Sequence, residues 1–230
     1  MIAGLTGVVL SLAACGAQPA DQPPTVTVYA AASLEEAFDD LIDQFHHDHP
    51  GEAQINAVYD GSATLITQIS HGAPADVLAT ANESTMQEAH TQGLTATAPE
   101  IFATNELVIG VPQANPHQVG SVDDAVKLPY AACAPQVPCG QATADLLAQA
   151  GIDLNPVSEE TSVTAVANRV SQGEVEVGFV YATDVAARPD LRAITPQETP
   201  VINHYPIAAT SQAALGQEFI DFVLSPAGQD

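Results

Sequence analysis

VTVYAAASLEEAFDDLIDQF, residues 26–45, reads as a buried strand, a turn at Ser33 and an amphipathic helix. Leu34, Ala37, Phe38, Leu41, Ile42 and Phe45 recur at the i, i+3, i+4, i+7 spacing that lays one helical face on a core. Ser33 stands where strand gives way to helix, and its hydroxyl has two readings. With Glu36 three residues on, it fits a capping box that serves only the helix. The same place also offers an anion free amide hydrogens, a hydroxyl and the positive end of a helix dipole. The arrangement returns in VYDGSATLITQI, residues 58–69, where Ser62 precedes Leu65, Ile66 and Ile69 on one face. Gly61, just before it, lets the backbone approach closely.

Composition restricts the partners. A chain of 230 residues, 46% of them hydrophobic, can bury a full core as one large domain or two small ones. Its 4 Lys and Arg against 28 Asp and Glu give a formal net charge of −24, which disfavours nucleic acid and anionic headgroups. Residues 1–14, MIAGLTGVVLSLAA, form an apolar run too short for a mature membrane span and read as the core of a signal peptide. Residues 16–25, GAQPADQPPT, have the composition of a tether.

Further along, periodicity predicts strands near 53–59, 75–80, 105–112, 129–133, 175–181 and 201–209. Helices are predicted over 82–91, 121–127, 141–150, 161–171, from 183 and over 211–224. This alternation implies an α/β fold with mainly parallel pairing. His46, His47 and His49 form the local histidine cluster. Lacking a second paired motif, they read as a solvated helix end rather than a metal site.

AAASL at 30–34, GSATL at 61–65 and GAPADV at 72–77 form an ordered set that resembles the substrate-binding proteins of molybdate ABC transporters, in the periplasmic binding protein superfamily. The resemblance runs through residue 228. It implies a two-lobed, type 2 periplasmic-binding-protein-like α/β fold with the ligand in the cleft between lobes. Residues 26–104 and 205–230 would form lobe 1, and 105–204 lobe 2. It further implies a monomeric extracytoplasmic protein that captures molybdate or tungstate and delivers it to a membrane permease. Catalysis, cofactor and free metal cation are not expected. LAACG, residues 12–16, resembles a bacterial lipoprotein signal with Cys15 as the lipidated residue, although no Lys or Arg precedes the apolar run. Residues 1–14 would then be removed and 15–25 would tether the domain.

Position by position, the family's oxyanion contacts fall on Ser33, Ser62, Cys139, Val163 and Tyr181. Hydroxyls and amides make all of these donors, which suits a fully deprotonated tetrahedral dianion. None of Lys127, Arg169, Arg188 or Arg192 occupies a motif position. Bland readings stand beside these: Tyr181 ends an apolar run as a core residue would, and Cys139 simply precedes a helix. Asp60 departs from a donor-only site, because a carboxylate turned inward would accept a proton from hydrogenphosphate. A sulfate- or phosphate-binding protein is therefore the alternative within this class. A serine hydrolase using Ser33 or Ser62 is the remote one, since neither serine lies in G-x-S-x-G. With Cys15 assigned to lipid, Cys133 and Cys139 remain as an even pair in an exported protein and are expected to form a disulfide.

Overall fold

The computed structural model describes residues 23–197, 200–210 and 214–229. The leader, Cys15 and most of the tether lie outside the described residues. Strand β1 (Thr25–Ala31) passes through a 3-10 turn, Ala32–Leu34, into helix α1 (Glu35–Asp48). Next come β2 (Gln54–Asp60), α2 (Ser62–Ser70), β3 (Val77–Ala79), α3 (Glu83–Thr91) and the long β4 (Glu100–Pro112). After α4 (Val122–Ala125) follow β5 (Tyr130–Cys133), α5 (Pro138–Gln149), β6 (Ser158–Glu160), α6 (Val163–Ser171) and β7 (Val177–Tyr181). Helix α7 (Ala182–Ala186), β8 (Leu191–Ile194), β9 (Ile202–Ala209) and α8 (Ala214–Leu224) complete the main elements.

Among the described residues the strands lie in the order β2-β1-β3-β9-β4-β7-β5-β6, with β8 also paired to β4. Pairing is parallel where β1 meets β2 and β3, and where β5 meets β6 and β7. It is antiparallel at β3–β9 and along both parts of β4, so the expectation of mainly parallel pairing fails in the middle of the sheet. The reason is the path of the chain. Residues 100–106 of β4 pair with β9 and residues 107–112 with β7 and β8, so one uninterrupted strand crosses between the two halves and β9 runs back beside it. At this crossing Asn105 and Asn203 stand directly opposite each other.

Each helix buries the face its periodicity specifies. Phe38, Ile42 and Phe45 of α1 are buried, and Phe219 and Phe222 of α8 meet them edge-on, with Phe45 ring centroids 5.6 and 5.4 Å from those of the two α8 rings. Burying a ring such as Phe219 contributes about 1.5–3 kcal/mol. Two strands escaped the sequence reading. β6 is Ser-Glu-Glu with no buried residue, and β8 is four residues long with two exposed, so neither carries a legible apolar pattern. Helix α5 begins three residues before the expected 141, because Pro138 suits a first helical position: its φ is preset and its missing N–H is not needed there. Cys133 and Cys139 are joined as a disulfide, tying the end of β5 to the first turn of α5.

Candidate functional site

The capping reading of Ser33 gives way to another. Leu34, not Ser33, occupies the N-cap of α1, and no side chain caps that helix. Ser33 lies in the 3-10 turn with its Oγ 3.0 Å from the hydroxyl of Tyr205. Ser62 is the first residue of α2, behind Gly61 at the cap, and its buried Oγ accepts a hydrogen bond from the amide of Ala81 at 3.1 Å. Serines that do cap helices are found elsewhere: Ser121 at α4 and Ser162 at α6.

Ser33, Ser62, Cys139, Val163 and Tyr181 all line one cavity, so the structure brings together the five residues that the family resemblance picked out. Its volume is about 20 Å³, room for one small ion. Ser62 and Val163 are the first residues of α2 and α6, and Cys139 is the second of α5. Amides at these positions have no carbonyl within their own helix, and each helix N-terminus carries roughly half a positive charge. Three such ends therefore converge on the cavity. None of its lining residues is ionisable apart from Tyr181.

Tyr181 is wholly buried, and burial, followed by the nearby Tyr205 and Asp184, pushes its phenol well above the ordinary range. It remains a protonated donor at physiological pH. Its oxygen lies 2.6 Å from Nδ2 of Asn203, which also donates to the carbonyl of Ala81 at 2.9 Å. The amide of Tyr181 donates to Oδ2 of Asp184 at 3.1 Å, and burial raises that carboxyl to about 6. Burial likewise raises the phenol of Tyr205.

Asp60 does not line the cavity: its Oδ1 accepts from the amide of Gly61 at 2.6 Å. Gly61 itself is a point of close approach, since a Cβ there would fall 2.2 Å from the carbonyl oxygen of Thr161. Arg169 pairs with Glu160 and Glu174, and Arg188 donates to the carbonyl of Asp184, so neither supplies charge to the cavity. Among the described residues the Ser33 hydroxyl meets that of Tyr205, and the Ser62 hydroxyl accepts from the Ala81 amide. His46 accepts from the amide of Ile55 and His49 meets Glu52, and no metal-binding group of three ligands occurs among the described residues.

Sequence reasoning missed Asn105, Asn203 and Tyr205. A signal was present: Asn203 and Tyr205 are two residues apart in a buried strand, so both project to one face that an apolar residue would otherwise occupy.

Residues 26–230 match the family model described as bacterial extracellular solute-binding protein. The chain is 40% identical to the molybdate-binding protein ModA of Mycobacterium tuberculosis, over 96% of this chain and 90% of that one. In fold it is similar to the periplasmic molybdate-binding protein of Azotobacter vinelandii, with a TM-score of 0.72 at 22% identity over 87% of this chain and 93% of that one. It is similar also to the sulfate-binding protein SubI of M. tuberculosis, with a TM-score of 0.75 at 18% identity over 90% and 83% of the two chains. The fold alone therefore does not select the anion.

Proposed function

The chain belongs to the bacterial extracellular solute-binding proteins, and from that footing we propose that it captures molybdate or tungstate outside the cytoplasm and hands it to the membrane permease of an ABC transporter. The observation that carries this reading is the convergence of three helix N-termini and three hydroxyls, those of Ser33, Ser62 and Tyr181, on one small cavity without a charged group. Such a lining offers about seven donors and asks for no acceptor. A tetrahedral dianion supplies acceptors only, so the two match. The surface charge of −24 does not oppose this. Distant carboxylates are screened beyond about 8 Å in physiological salt, whereas helix termini act at contact.

The likeness to the mycobacterial molybdate-binding protein supports the larger oxyanions. Tungstate matches molybdate in shape and charge and falls within the same proposal. Asp60, which could have served hydrogenphosphate as an acceptor, is committed to the amide of Gly61. The protein performs no chemistry on its cargo. The lipoprotein-like LAACG at residues 12–16 supports an anchor through Cys15 on the outer face of the membrane.

Calorimetric titration with molybdate, tungstate, sulfate and phosphate tests the assignment. Sulfate has shorter bonds, so donors set for molybdate meet it at stretched distances, and each charge-assisted bond is worth about 1.5–3 kcal/mol. Molybdate and tungstate are expected to bind alike, with sulfate weaker by about ten-fold or more. Tighter binding of sulfate or phosphate would overturn the proposal.

A further inference from the structure

The hydroxyls of the cavity could in principle turn either way, each acting as donor or acceptor. The structure removes that freedom from behind. The side-chain nitrogen of Asn203 faces the carbonyl oxygen of Ala81 at 2.9 Å, and a carbonyl can only accept. The amide orientation of Asn203 is therefore fixed, and the same Nδ2 presents its second hydrogen to the phenol oxygen of Tyr181 at 2.6 Å. Tyr181 must accept there, so its own proton is left for the cavity. Asn105, opposite Asn203 at the crossing of β4 and β9, is fixed in the same manner. Its Oδ1 accepts from the backbone amide of Glu106 at 3.0 Å, an atom that can only donate. Its Nδ2 then faces Thr183 Oγ1 at 2.7 Å and, at a longer 3.4 Å, the hydroxyl of Tyr205. With a donor behind it, Tyr205 directs its proton to Ser33 Oγ, 3.0 Å away, and the proton of Ser33 is left for the cavity in turn. The third hydroxyl, Ser62, already accepts from the amide of Ala81.

We propose that Asn203 and Asn105 are positioning residues that set the polarity of the site: they turn the protons of Tyr181 and, through Tyr205, of Ser33 inward, and so select oxyanions carrying no proton. The proposal rests on the oxyanion reading above. A protonated oxyanion such as hydrogenphosphate needs one acceptor, and a cavity whose hydroxyls point their hydrogens inward while accepting from behind disfavours it. Asn203 holds both groups it bridges at once, the Ala81 carbonyl that follows β3 and the Tyr181 phenol that ends β7. Donor polarity is thereby coupled to the contact between the two halves of the sheet.

The test is titration calorimetry on the full chain with molybdate and with inorganic phosphate, in wild type, Asn203→Leu, Tyr181→Phe and the double variant. Asn203→Leu is expected to weaken molybdate by roughly ten-fold, the loss of about one charge-assisted bond, without weakening phosphate. In the Tyr181→Phe background the same change should alter molybdate affinity by less than about two-fold, because the hydroxyl it acts through is gone. A purely structural role predicts equal losses in both backgrounds and for both anions, and that result overturns the proposal. So does wild-type affinity in Asn203→Leu. If Asn203→Leu gives no cooperative melt, Tyr205→Phe carries the test, since it removes one oxygen and with it the donor to Ser33. A roughly ten-fold loss for molybdate is then expected, and unchanged affinity overturns the inference. A wild type that binds no oxyanion overturns the functional reading and this inference together, whereas binding by wild type with unaffected variants overturns the inference alone.

Discussion

Gly61→Ala is expected to lower molybdate affinity by about a hundred-fold or more while leaving a cooperatively folded chain. Glycine here is not needed for its dihedral angle: φ is −58°, which alanine adopts freely. It is needed for proximity. A methyl at this position would stand 2.2 Å from the carbonyl oxygen of Thr161 and 3.2 Å from its carbonyl carbon, backbone atoms that cannot rotate away. Gly61 follows β2 in one half of the sheet and Thr161 follows β6 in the other, so the clash is expected to part the two halves rather than unfold either. An opened cleft can still present Ser33 and Ser62, or else Cys139, Val163 and Tyr181, but not both sets to one ion. Losing two charge-assisted bonds at about 1.5–3 kcal/mol each gives the stated factor. Calorimetry paired with a thermal melt reads both quantities. Wild-type affinity in the variant would show that the two halves need not close at Gly61, and loss of the folded state would show that the contact belongs to the fold.

Gly140→Ala strikes the fold instead. A Cβ there would lie 1.9 Å from the carbonyl oxygen of Ala134, 2.5 Å from its carbon and 2.8 Å from the carbonyl oxygen of Cys133. These are backbone atoms of the loop that the Cys133–Cys139 disulfide closes, so the loop and the first turn of α5 cannot separate without straining that bridge. Overpacking a yielding site costs about 1–3 kcal/mol. Here the cost should reach about 3 kcal/mol or more, lowering Tm by about 6–12 °C for a chain of this size. Replacing both cysteines by serine should soften the effect by letting the loop move. A Tm within about 2 °C of wild type would mean that the turn is looser than its contacts suggest.

The sequence was most legible where one pattern implied both element and role. Residues 26–45 announced strand, turn and helix, and Ser33 and Ser62 could be placed at turns from the apolar stripes that follow them. Cys139, Val163 and Tyr181 were reached only through the family motif order, since a backbone amide at Val163 leaves no trace in the identity of its side chain. The half of the site hidden from the sequence is its support. Tyr205 reaches Ser33 across 172 residues and Asn105 reaches Thr183 across 78, and no local periodicity reports on such pairs. Ser33 itself shows why local rules mislead here. S-x-x-E satisfies every sequence criterion for a capping box, but the chain takes a 3-10 turn first, and a tyrosine on β9 claims the hydroxyl. The antiparallel middle of the sheet was missed for a related reason, because β4 crosses between halves without any break in its sequence to mark the crossing.

The central claim is that one oxyanion sits inside the ring formed by Ser33, Ser62, Cys139, Val163 and Tyr181. Crystals grown with molybdate, measured at the molybdenum absorption edge, test it most directly. The account predicts a single anomalous peak in that cavity, with oxygens within hydrogen-bonding reach of the hydroxyls of Ser33, Ser62 and Tyr181 and of the amides of Cys139 and Val163. A peak seated elsewhere on the protein, or a cavity holding only water in the presence of saturating molybdate, would contradict it.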